Sequence, residues 1–107
     1  MDFGKVEYII FEAGNSDFGV SRKLNLTLVG QNDDAALREG GLAGLRRRRI
    51  IRLTNEAARQ GALLSYEDLA GLLLTSLATL KRDIGHLEKE GHAVPRKGRK
   101  RNGNGGL

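Results

Sequence analysis

The sequence predicts a mainly α fold with a small β component, and three observations carry this. Apolar residues recur at three- and four-residue steps over residues 42–57 and 69–87. Capping and stop residues at Gly61, Ser65, Ser76 and Gly91 divide that stretch into three helices. Strict two-residue alternation is confined to short segments ahead of them.

The first β-like segment, residues 5–11, and the second, residues 23–29, are joined by a turn-rich stretch that can close a hairpin. Leu24, Leu26 and Leu28 share one face of the second. Residues 30–41 read as an acidic loop and boundary with a short helix at 35–39. A helix then begins at Leu42, with Leu42, Leu45 or Arg46, Ile50, Leu53 and Ala57 sharing one inner face, and ends near Gly61, a residue suited to the left-handed position beyond a helix. Ala62, Leu63 and Leu64 fit a brief strand. Ser65 and Asp68 have the spacing of a capping box, so the second helix starts at Tyr66 and buries Leu69, Ala70 and Leu73. After a turn at Leu74 and Thr75, Ser76 caps a third helix whose Leu80, Ile84 and Leu87 face inward and which Gly91 stops. Residues 92–95 read as a strand, 96–101 as a basic turn and 102–107 as a low-complexity disordered tail. The expected organisation is a β-like segment and acidic linker at 1–41, a helical domain at 42–101 and a tail at 102–107.

Charge is unevenly placed. Residues 1–41 carry a net −3 and residues 42–107 a net +8, giving +5 for the 107-residue chain. A cationic region in a small domain attracts polyanions and releases their counterions, so nucleic acid leads the partner classes. The absence of cysteine excludes disulfides, thiolate catalysis and Cys-ligated zinc. Neither a signal peptide nor a spanning segment is evident, so a cytoplasmic location away from membranes is expected. Asn25, Leu26 and Thr27 match a glycosylation sequon, read as chance because it overlaps a strand.

Helix, short strand, short helix, tight turn, long helix, strand and basic loop is the order of a winged helix-turn-helix, whose third helix enters the major groove. Ala70 is small where the two helices of the motif approach, and Leu80, Ile84 and Leu87 anchor the reading helix from behind. The run from Ser76 through Thr79, Leu80, Lys81, Arg82, Asp83, Ile84 and Leu87 to Gly91 resembles the reading helix of DeoR-type repressors. Residues 46–98, including the Arg-Leu-Thr-Asn-Glu-Ala run at 52–57 and Val94-Pro95-Arg96-Lys97-Gly98, resemble an uncharacterised family of bacterial and archaeal winged-helix proteins. The resemblance implies DNA binding. Two departures stand out: Leu74 occupies a turn position where Gly or Asn is usual, and the chain passes into an Asn-Gly tail where the family continues past the wing.

The candidate DNA-binding residues are Ser76, Ala78, Thr79, Lys81, Arg82 and His86 on or beside the third helix, with Lys81 and Arg82 able to reach guanine O6 and N7. Arg96, Lys97, Arg99, Lys100 and Arg101 would follow the phosphates from the wing. The plain alternatives are a solvated helix face and a solubilising tail. Arg46, Arg47, Arg48 and Arg49 span more than one helical turn, so at most two can contact DNA while the others pair with carboxylates. Asp83, among these cations, is expected to orient Arg82 or a first-helix arginine. His86 and His92 lack a third ligand and are read as surface or DNA-facing groups.

No phosphate loop, dinucleotide fingerprint, zinc-protease helix or nucleophile elbow occurs, so no enzyme, cofactor or metal is expected. The reading is a prokaryotic transcription regulator bound to double-stranded DNA, with a homodimer compatible although no heptad seam is present. The alternatives are the DNA-targeting fragment of a transposase or recombinase, and a winged-helix module for protein contact. RNA is disfavoured because no aromatics are interleaved with the basic residues.

Overall fold

A computed structural model of the chain describes residues 4–12 and 20–97, and shows the expected mainly helical fold with a small antiparallel sheet. The elements are β1 (Lys5–Glu12), β2 (Val20–Thr27), α1 (Asp33–Arg59), α2 (Tyr66–Leu73) and α3 (Leu77–Lys89). The expected turn at residues 13–17, the basic residues 98–101 and the tail at 102–107 lie outside the described residues.

β1 and β2 pair antiparallel from Lys5↔Thr27 to Glu12↔Val20. Their inner-face residues Ile10, Leu24 and Leu26 are buried in the same core as Ile50, Leu53, Leu69, Leu80, Ile84 and Val94. The hairpin therefore belongs to the helical domain's core rather than standing apart from it as a leading segment. Burial on α1 explains how a two-stranded sheet persists in water, where an isolated hairpin is marginal.

α1 begins nine residues before Leu42, the start the periodicity indicates, and swallows the expected short helix at 35–39. Asp33 and Asp34 occupy its first turn, where the helix dipole favours anions. At Gly41 the backbone leaves helical geometry (φ 68°, ψ −160°), a conformation accessible to glycine, and the axis kinks there. Leu42, read as sharing the inner face, is 70% exposed while Ile50, Leu53 and Ala57 are fully buried.

Two polar clusters tie the hairpin to α1. Arg52, Glu56 and Gln60 lie four residues apart on one face and satisfy the outer edge of β2. Arg52 Nε donates to Thr27 O (2.9 Å), Thr27 N to Glu56 Oε1 (2.7 Å), Asn25 N to Gln60 Oε1 (2.9 Å) and Gln60 Nε2 to Asn25 O (2.8 Å). Below them the buried Asp33 carboxylate accepts from Arg52 Nη1 (2.8 Å), Arg49 Nε (3.0 Å) and the Gly30 N–H (3.0 Å). Burial opposes ionisation of Asp33, but these hydrogen bonds outweigh it and hold its carboxyl well below the usual carboxylate range.

At the other end of α1 the Gln60 and Gly61 carbonyls accept from the Arg22 guanidinium (2.9 and 3.0 Å). Residues 62–64 and 92–95, both read as strands, form no ladder. Among the described residues a single backbone bond, from Lys97 N just beyond the second segment to Leu64 O (2.7 Å), joins this part of the chain to the first, too little for repeated pairing.

α2 and α3 are joined by a tight turn through Leu74, which sits in the left-handed region (φ 54°, ψ 48°) with 92% of its surface exposed. A residue with a Cβ is strained there by roughly 1–2 kcal/mol, which is why the turn usually takes glycine or asparagine. The side chain offers little packing in return.

Two outcomes follow for stability. Leu74→Gly should raise the free energy of unfolding by about 1 kcal/mol and Leu74→Ala should leave it nearly unchanged, as read by urea denaturation. Asp33→Asn should cost about 2–3 kcal/mol at pH 7. Because the folded-state pKa of Asp33 is depressed, its contribution is complete above the unfolded value of about 4 and is lost as pH falls further. The gap between wild type and Asp33→Asn should accordingly narrow in melts taken below about pH 4.

Candidate nucleic-acid interface

α3 has two sharply different sides. Its N-terminus is capped as expected: Ser76 Oγ accepts from Thr79 N (3.1 Å) and meets the Thr79 hydroxyl at 3.0 Å. Leu80, Ile84 and Leu87 are buried against α1 and α2. Between them lies Asp83, 1% exposed, whose carboxylate accepts from Arg46 Nε (2.6 Å) and Arg47 Nε (3.1 Å). Asp83 therefore takes its partners from the first helix and leaves Arg82 unengaged.

The opposite side presents Ala78, Lys81, Arg82, Gly85, His86 and Lys89, all exposed. Among the described residues Arg82 forms no hydrogen bond or ion pair. The Lys81 ammonium lies over the Tyr66 ring, 5.4 Å from its centroid. His86 Nε2 is 3.1 Å from Glu90 one turn on. His86 and His92 border one shallow cleft with Glu39, Arg48 and Glu90. No group of three or more potential metal-ligating side chains converges among the described residues.

The arginine tract of α1 divides as its helical phase requires. Arg46 and Arg47 turn to Asp83 and Arg49 to Asp33 (3.0 Å), which leaves Arg48 exposed beside the C-terminal half of α3.

A family profile described as "Protein of unknown function (DUF1670)" matches residues 20–104. The chain belongs to this family. Comparisons with curated proteins and with solved structures returned no match. The DUF1670 match takes in β2 and all three helices, so it contains both sides of α3 and every arginine that locks it in place. No described helix of this DUF1670 protein is long and apolar enough to cross a membrane.

One expected member of the interface is placed elsewhere. Arg96, assigned to the phosphates, is buried, and its guanidinium donates to Tyr66 Oη (3.0 Å), Glu88 Oε2 (2.8 Å) and Val94 O (2.8 Å). Burial disfavours its charge, but the hydrogen bonds to Glu88 and Tyr66 outweigh this and raise its pKa further. Arg96 thus fastens residues 94–96 to α2 and α3. Lys97 beside it is exposed. Arg99, Lys100 and Arg101 lie outside the described residues.

Tyr66 is the residue that sequence reasoning passed over. Both Lys81 and Arg96 lie over its ring, the latter 5.3 Å from the centroid, so α2, α3 and the segment after α3 meet there. An aromatic at the first helical position after a capping box, with cations on the two later segments, was the available signal. Nearby, the Tyr8 hydroxyl donates to Asp68 Oδ1 (2.6 Å). Burial and this carboxylate push the Tyr8 pKa up to about 12.

Ile84→Ala should cost about 2–5 kcal/mol by opening a cavity behind α3, and Asp83→Ala about 3–5 kcal/mol by leaving two arginines without their carboxylate. Lys81→Ala should cost below about 1 kcal/mol. Denaturant melts of the three variants give the ranking.

Proposed function

We propose that the chain is a DNA-binding transcription regulator of the winged helix-turn-helix type, reading duplex DNA through the major groove with α3. The observation that carries this is the outward side of α3: Lys81 and an unengaged Arg82, flanked by the small residues Ala78 and Gly85, on a helix whose back is locked by Asp83. Small neighbours let a helix axis approach base edges closely, and the long cations then reach guanine O6 and N7. Ser76 and Thr79 stand at the capped end that meets the phosphates, and His86 flanks the same side. Lys97, with Arg99, Lys100 and Arg101 after it in sequence, adds sequence-independent charge. The reading assigns no catalytic role and no cofactor, and places the protein in the cytoplasm.

A second reading, a module for protein contact, draws on the exposure of Leu74 (92%) and Leu77 (40%) at the start of α3. The two readings part on charge, because an apolar contact does not need Lys81 or Arg82.

The test is selection of bound sequences from random duplexes, followed by binding to matched and scrambled duplexes over a range of salt. Affinity should fall steeply with salt, each neutralised phosphate adding about 0.9 to the log-log slope. Arg82→Ala or Lys81→Ala should cost about 1–3 kcal/mol on the matched duplex and little on the scrambled one. Absence of binding at low salt would overturn the proposal, and indifference to both substitutions would favour the protein-contact reading.

A further inference from the structure

The two edges of the hairpin are treated differently. Leu28 N donates to Gly4 O (2.6 Å), which makes Gly4 and Leu28 a hydrogen-bonded pair of the antiparallel ladder. Asn25 and Thr27, at odd positions, direct their N–H and C=O groups away from β1 and onto Gln60, Glu56 and Arg52. Their register partners Glu7 and Lys5, and Ile9 opposite Lys23, therefore point their own backbone groups off the far edge of β1. On that side no described residue supplies a partner.

β1 is eight residues long, contains no proline, and packs with β2 rather than with α1, which lies under β2. Val6 and Tyr8 are left half-buried on its underside and Ile9 is 59% exposed above. An open edge of this length is a template for another strand.

We infer that this edge docks a second copy of the chain, strand against strand, about a two-fold axis through Val6. Side chains alternate across a sheet, so a two-fold normal to it must set odd residues against odd ones. An axis through Glu7 opposes Glu7 to itself, and like charges directly opposite are destabilising. An axis through Tyr8 opposes Glu7 to Ile9. Only the axis through Val6 sets Lys5 against Glu7 of the second copy, and does so twice. Lys5 has no ion pair within the chain among the described residues, and Glu7 has only a loose one, 3.8 Å from Lys23 with both side chains mostly exposed. The edge is thus complementary in charge to itself as well as in backbone. On the DNA reading proposed above, the two copies present two α3 helices related by a two-fold, as a palindromic site requires. The pairing itself does not depend on that reading.

Sedimentation equilibrium of the full chain without DNA, over a concentration series, tests it. The wild type should associate reversibly to a dimer. Lys5→Glu should weaken association about tenfold, because two attractive pairs become repulsive. Adding Glu7→Lys to that variant should restore it, since the pairs are re-formed with their signs exchanged. Glu7→Pro should abolish it, because the Glu7 N–H has no partner inside the hairpin, and circular dichroism checks that the fold persists. A wild type that stays monomeric at the highest concentration, or a dimer unaffected by Lys5→Glu, overturns the inference. A doubly reversed chain that stays monomeric overturns the register and with it the choice of a second copy. DNA binding by such a monomer would leave the functional proposal standing.

Discussion

A single buried carboxylate organises the domain. Asp83 is on α3, both of its arginines are on α1, and the two ion pairs of this node sit where Leu80, Ile84 and Leu87 already close the core. Buried ion pairs add little net stability, because the cost of desolvating the charges offsets their attraction. Their effect is positional. Rotating α3 about its axis or sliding it along α1 would leave an unpaired charge in the core, so the orientation that turns Lys81 and Arg82 outward is the one the charges permit.

The same division of labour recurs among the described cationic residues. Arg22, Arg46, Arg47, Arg49, Arg52 and Arg96 are consumed in joining segments, each held by a carboxylate or by backbone carbonyls. Arg48, Lys81, Arg82, Lys89 and Lys97 remain exposed. A net charge of +5 therefore overstates the charge that stiff internal bonds leave adjustable, and the surface that a polyanion would meet is set by phase along α1 and α3 rather than by composition.

Much of the fold was legible because it rests on local rules. Ser65 with Asp68 and Ser76 with Thr79 form the caps their spacing implies, and Leu80, Ile84 and Leu87 face inward as their period requires. The division of the arginine tract was legible from the 100° step of a helix, whereas Asp83 stood open between Arg82 and a first-helix arginine, and its partners are Arg46 and Arg47. What was not legible depends on distant partners. Gly41 looked like the end of a loop because its glycine neighbours gave no sign that helix resumes on both sides. Arg96 looked like a wing cation because a run of basic residues does not show that Glu88 and Tyr66 wait eight and thirty residues away. The strands read at 62–64 and 92–95 had apolar runs of the right length but too few paired backbone groups to make a ladder.

The seam between α1 and β2 has a consequence for how this sequence can diverge. Arg52 and Glu56 take the two backbone groups of Thr27 and Gln60 takes both of Asn25; four helical residues advance about 6 Å and two strand residues about 6.6–6.8 Å, so the step from Glu56 to Gln60 stays level with the step from Thr27 to Asn25. Deleting or inserting one residue between positions 52 and 60 would swing the remaining rungs by about 100°, away from the strand. Relatives of this chain should therefore vary in side chain along that stretch yet never in its length, and gains or losses of residues should collect near Gly41, where the helix is already interrupted.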